Sequence, residues 1–153
     1  MFLSPSWREE EIVGAIFPVL PEHVANLFDR GRNVFVKFTK LTNLTTGSII
    51  VFYVSREKVL VGEGRVKAIE KLNPELAWSR YGDRIFLDKE EFDSYIEISP
   101  ISGEERRMRK LDVFVLNKVK KYRKPFRSIY PVTASGRYLT REMVDKIRKR
   151  SVS

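Results

Sequence analysis

The chain has 153 residues, no cysteine, one histidine and a formal net charge of +9, long enough for one domain with a real hydrophobic core. This composition excludes a disulfide framework, a thiol nucleophile, a thiolate metal site and a multi-histidine metal cluster. The charge is lopsided: residues 1–103 hold 13 Lys/Arg against 15 Asp/Glu, net −2, and residues 104–153 hold 16 against 5, net +11. A tail third this basic is the footprint of a protein that meets polyanions, or a surface that keeps the chain soluble.

No stretch approaches the roughly 18 consecutive apolar residues of a membrane span, and the opening MFLSPSWREEEI lacks the pattern of a signal peptide. The expectation is a cytoplasmic protein with no membrane contact, no metal and no cofactor. No linker or repeat divides the sequence, so residues 1–153 read as a single domain that includes the basic third, 104–153.

Ile12–Leu20 (IVGAIFPVL) is expected as a first strand. Pro21 then opens a helix at its first position, with Val24, Leu27 and Phe28 on one face and Gly31 closing it. His23 falls in the first turn, where a surface or capping role is expected, since no second histidine exists to make it a ligand. Val34–Lys40 (VFVKFTK) alternates as a strand does. Lys37 is a charge in its apolar middle that either snorkels to solvent or points into a polar pocket.

The chain centres on Thr46–Ile69, TGSIIVFYVSREKVLVGEGRVKAI. It reads as strands Ile49–Val54 and Val59–Ala68 joined by the polar turn Ser55–Lys58. The first strand is apolar throughout, as one buried on both faces should be. The second carries Gly62 and Gly64 around Glu63, which marks a bulge or a close approach. Glu63 and Tyr53 are therefore candidates for a pocket wall.

Asn73 caps a short helix that begins at Pro74, carries Trp78 and stops near Gly82. Asp88-Lys89-Glu90-Glu91 is a capping-box signal with Leu87 and Phe92 as staple, and Glu90 and Glu91 read as first-turn acids favoured by the helix dipole. Phe92, Tyr95 and Ile96 form the stripe that this helix buries. Residues 99–110 read as a charged loop, and Leu111–Val119 as a buried strand.

The run KVKKYRKPFR, Lys118–Arg127, interleaves cations with Tyr122 and Phe126. That is the composition single-stranded nucleic acid needs; a solvated strand end whose aromatics belong to the core has the same composition. After the turn-rich Ser128–Leu139, Thr140 caps a final helix with Met143, Val144 and Ile147 inward. Arg141, Lys146, Arg148, Lys149 and Arg150 are expected outward.

The element order implies an α+β fold, with a mixed β-sheet curled into a small barrel and helices around it. The segments RNVFVKF, TGSIIVFYV, VLVGEGRV, DKEEFDSYIEI and VTASGRYLT resemble an archaeal family of unknown function in the PUA-like superfamily, alongside PUA, ASCH and EVE domains. The likeness runs from about Ile12 to Ile147. It implies a PUA-like mixed β pseudobarrel with flanking short helices, and a cleft that relatives use for RNA or a modified base.

On that footing the leading expectation is an RNA-binding or modified-nucleotide-binding module. Its base pocket would be built near Lys37, Tyr53, Glu63, Trp78 and Tyr81. The nucleic-acid backbone would lie on Lys118, Lys120, Lys121, Arg123, Lys124, Arg127 and Arg137. ASCH-type relatives also resemble small amidohydrolases of acylated nucleosides, which would make Lys37, Thr39 and Glu63 a loosely matching catalytic set. A third reading is a protein–protein adaptor whose basic last helix docks on an acidic partner.

Overall fold

The run Ile49–Val54 has no polar side chain except the hydroxyl of Tyr53, and all six of its residues are buried in the computed structural model, which describes residues 11–97 and 109–152. It is strand β3, near the middle of a six-stranded sheet. The strands are β1 (Ile12–Val19), β2 (Val34–Lys37), β3, β4 (Val59–Leu72), β5 (Leu111–Arg127) and β6 (Arg137–Thr140), in the order β2-β5-β4-β3-β1-β6. β1 and β3 pair in parallel, Gly14 opposite Ile49. A parallel pair needs a crossover, which helix α1 (Pro21–Phe28) and β2 supply. All other strand pairs are antiparallel.

Three more helices are α2 (Pro74–Tyr81), α3 (Lys89–Glu97) and α4 (Arg141–Val152). Their starts follow the expected capping chemistry. Asn73 Oδ1 accepts from Leu76 N at 2.8 Å, Glu91 Oε1 from Asp88 N at 3.0 Å, and Thr140 Oγ1 from Met143 N at 3.3 Å.

Period-two alternation in β1 and β3 divides the core between two faces. Ala15, Phe17, Ile50 and Phe52 join Phe35, Phe86 and Phe114 on one face. Ile16, Ile49, Val51 and Tyr53 meet Val144 and Ile147 of α4 on the other. Phe35 is the hub of the first face, with its ring centroid 4.8 Å from Phe86, 5.3 Å from Phe52 and 5.4 Å from Phe17.

The edge strands β2 and β6 do not pair with each other, so hydrogen bonds leave the sheet open. They nevertheless approach, because Thr39 Oγ1 donates to Ser135 O at 3.3 Å and Asn43 N donates to the Tyr138 hydroxyl at 3.0 Å. The expected α+β architecture with a mixed sheet is observed, but the sheet is not closed into a barrel by hydrogen bonds.

Three boundaries differ from expectation. β2 stops at Lys37 because Phe38 N donates to the Tyr95 hydroxyl, at 2.8 Å, in place of a ladder partner. β4 continues to Leu72, taken past a register shift near Lys67 by pairing with Leu111–Val115. β5 runs to Arg127 through Pro125, a residue that ordinarily ends a strand. From Gly62 to Leu60 β4 moves two residues while β5 moves five, from Lys121 to Phe126, and Pro125 sits in that bulge.

Gly62 is required by close approach. A Cβ there would lie 2.5 Å from the Phe28 ring and 2.6 Å from the Lys120 carbonyl oxygen. No helix among the described residues is long and apolar enough to cross a membrane.

Candidate functional site

Two concavities carry most of the chemistry, one beside β2 and the other beside the middle of β5. The first is a cleft of about 510 Å³ between β1, α1, β2 and α3. Its wall is apolar and aromatic because β1 ends in Pro18-Val19 and β2 brings Phe35 to it. The Ile85–Leu87 segment runs beside β2, held by Phe86 N donating to Val34 O at 3.0 Å and by Asn26 Nδ2 donating to Phe86 O at 2.9 Å.

The polar groups of this cleft come from α1, β2 and α3. His23 is buried, edge-on to Phe86 at 5.7 Å, and its Nε2 is 2.6 Å from Glu91 Oε2. An ionised carboxylate accepts, which fixes the proton on Nε2. The expected surface or capping role for His23 is thereby corrected: α3 packs across α1 and takes its imidazole as a partner. Glu91 serves both as helix cap and as hydrogen-bond partner of His23. Glu90 projects exposed at the rim. Lys37 lines the cleft, with its ammonium 5.9 Å from the Phe17 ring centroid. Tyr95 stacks on Phe38 at 5.7 Å, and the Arg109 guanidinium lies 5.3 Å from that same ring. A cavity with ring-lined walls, a carboxylate edge and one lysine has room for a flat heterocycle and groups to read its edge.

The second concavity, about 390 Å³, lies between α4 and the β4–β5 pair and is lined by Glu63, Arg65, Lys118, Lys120 and Arg148. Glu63 is 5% exposed. It accepts from Arg148 Nε at 3.3 Å and Nη2 at 2.7 Å, and from the Tyr122 hydroxyl at 3.1 Å. Burial pushes the Glu63 carboxyl up, but Arg148, Tyr122 and Lys120 together outweigh it and hold it below the usual glutamate range. Burial and the adjacent carboxylate push the Tyr122 phenol well above its ordinary value. The pair joins α4 to the sheet. Arg148 is therefore not one of the outward cations expected of that helix.

The five residues expected to share one base pocket occupy separate places. Lys37 faces Asp112 on β5 and Glu63 faces Lys120, eight residues further on, which is on the order of 25 Å along the strand. Tyr53 is buried in the core face covered by α4. Trp78 packs on Phe92 at 5.2 Å, with the Lys89 ammonium 5.4 Å from its ring. The Tyr81 hydroxyl donates to Glu70 at 2.8 Å. Thr39 Oγ1 is taken up by Ser135 O and Leu41 N. The set Lys37, Thr39 and Glu63 is thus not assembled, because the long β5 separates its ends.

The basic run fares differently. Lys118, Lys120, Lys121, Arg123, Lys124 and Arg127 are all exposed along β5. Lys121 pairs with Asp29 at 3.5 Å. Arg137 is turned aside, donating to Pro131 O at 3.3 Å and lying over Tyr130. Among the described residues, Lys118, Lys120, Arg123, Lys124 and Arg127 have no carboxylate within ion-pair distance.

The sequence reading missed His23, Phe35, Phe86 and Tyr95 as cleft residues, and Arg65 and Arg148 beside Glu63. The pairs that build both sites join residues 68 and 85 positions apart. A buried-type glutamate between two glycines signals that a cation must reach it; which one is set by the fold.

Comparison with known proteins follows the same outline. Residues 12–141 match the family described as a domain of unknown function (DUF365). Over 105 residues the chain is 30% identical to an uncharacterized protein of Methanocaldococcus jannaschii, a match spanning 66% of this chain and 97% of that relative. The crystal structure of ASCH from Zymomonas mobilis is similar with a TM-score of 0.72 at 20% identity, over 90% of this chain and 94% of that one. The N-terminal domain of Staphylothermus marinus McrB is similar with a TM-score of 0.56 at 16% identity, over 92% and 98%. At these identities the two structures speak for the fold.

Proposed function

This chain belongs to the DUF365 family and has a PUA-like fold, and we propose that it is a single-stranded RNA-binding module that holds phosphates along β5 and a base in the aromatic cleft. The observation that carries this reading is the run of five exposed cations on β5, Lys118, Lys120, Arg123, Lys124 and Arg127, with no carboxylate in ion-pair distance among the described residues. Unneutralised cations in a row cost self-repulsion that a polyanion relieves. The cleft described above supplies ring faces and a polar edge.

The test is the affinity of the triple variant Arg123→Gln/Lys124→Gln/Arg127→Gln for a single-stranded RNA at low salt. A loss of tenfold or more with an unchanged melting temperature supports the reading. Equal binding by the variant overturns it, and so does binding to an acidic protein but not to RNA.

A further inference from the structure

The cavity beside α4 carries a surplus of charge that the structure explains only in part. Four of its five lining residues are cations and one is a carboxylate. Glu63 and Arg148 cancel each other through two hydrogen bonds, with Tyr122 completing the carboxylate shell. Arg65, Lys118 and Lys120 then face the cavity with no carboxylate in ion-pair distance among the described residues. Arg148 also lines the cavity, and its Nη1 makes none of the bonds to Glu63.

The convergence has a backbone cause. Between Glu63 and Arg65 β4 moves two residues, whereas β5 moves three, from Lys120 to Asn117. The extra residue is a bulge, and it puts Lys118 at φ +50, in the left-handed region that a lysine seldom occupies. Bulges re-aim side chains, and residues held in costly backbone conformations gather at ligand sites. Here the bulge brings Lys118 to the cavity that Lys120 also lines. Donors therefore arrive from β4, from two points of β5 and from α4, around the Glu63–Arg148 pair.

We propose that this cavity is a phosphomonoester site that takes the terminal phosphate of a nucleic-acid strand or of a free nucleotide. A monoester carries about −1.5 to −2 charge at neutral pH and three strong acceptor oxygens. Arg65, Lys118 and Lys120, each beyond ion-pair distance of the described carboxylates, match it better than they match an internal diester, with one charge and two free oxygens. Only the source of the phosphate rests on the RNA reading; the site itself stands on its own geometry.

The test uses the full chain at constant ionic strength. It compares four probes, namely inorganic phosphate, a nucleoside monophosphate, and one short RNA with either a terminal monophosphate or hydroxyl ends. Arg65→Gln is the diagnostic variant, with Arg65→Lys as its charge-keeping control. The expected result is a preference of tenfold or more for the phosphorylated end, lost in Arg65→Gln and largely kept in Arg65→Lys. RNA binding with no preference between the two ends overturns the phosphate site and leaves the RNA reading intact. An Arg65-sensitive affinity for the monophosphate without any RNA binding supports the site and removes RNA as the source. Binding of none of the four overturns both.

Discussion

Replacing Arg148 by Met removes the cation from a buried carboxylate while keeping most of the aliphatic packing of the side chain. Breaking a buried pair from one side costs about 3–5 kcal/mol when the remaining charge is fully enclosed. Here the Arg148 side chain is 36% exposed and that of Glu63 6%, so water screens part of the attraction. Glu63 also keeps the Tyr122 hydroxyl bond at 3.1 Å. The expected cost is therefore about 2–3 kcal/mol, which lowers the melting temperature by roughly 5–10 °C in a domain of this size. Urea and thermal unfolding at neutral pH measure it.

Acid titration gives the sign independently. In the native chain the folded-state carboxyl lies below its ordinary value of 4.5. The stability it contributes is complete above that value and is lost as pH falls through the depressed one. In Arg148→Met the buried carboxyl has lost its main cation, so its pKa rises and acid restores stability. The gap between the two proteins should narrow on going from pH 7 to pH 4. A cost under about 0.5 kcal/mol at neutral pH, or a gap that widens in acid, refutes the pairing as the strut between α4 and the sheet.

Two further outcomes follow from close contacts and from the cleft. Gly62→Ala sets a methyl 2.5 Å from the Phe28 ring and 2.6 Å from a backbone carbonyl that has little room to yield, so a loss of about 1–3 kcal/mol is expected in equilibrium unfolding. Lys37→Met should weaken binding of a nucleoside or short RNA by roughly fivefold, about 1 kcal/mol, without altering how steeply affinity falls with salt. An unchanged affinity in titration would take Lys37 out of the site.

Much of the fold is written locally. The unbroken apolar run Ile49–Val54, the prolines at the starts of α1 and α2, and the capping residues Asn73 and Thr140 each act within a few positions, and each element forms where they predict. The misjudged elements are those whose ends depend on distant partners. β5 passes through Pro125 because a bulge opposite Gly62 absorbs it, and nothing within ten residues of Pro125 reports that bulge. The site was legible to the same extent. The exposed cations of Lys118–Arg127 follow from composition, whereas His23 with Glu91 and Glu63 with Arg148 are set by how α3 and α4 dock. Lys37 was visible as a charge out of place in an apolar strand, but its separation from Glu63 is a matter of register that a single chain does not encode.

The central claim is that β5 is a phosphate-binding strand, and fluorescence anisotropy of a labelled single-stranded RNA across a potassium chloride series tests it most directly. Each phosphate neutralised on a single strand contributes about 0.7 to the slope of log affinity against log salt. Five exposed cations with no carboxylate in ion-pair distance among the described residues, Lys118, Lys120, Arg123, Lys124 and Arg127, predict a slope of about −3.5 and a loss of about a hundredfold between 50 and 200 mM salt. A slope shallower than about −1, or no binding at the lowest salt, would contradict the account.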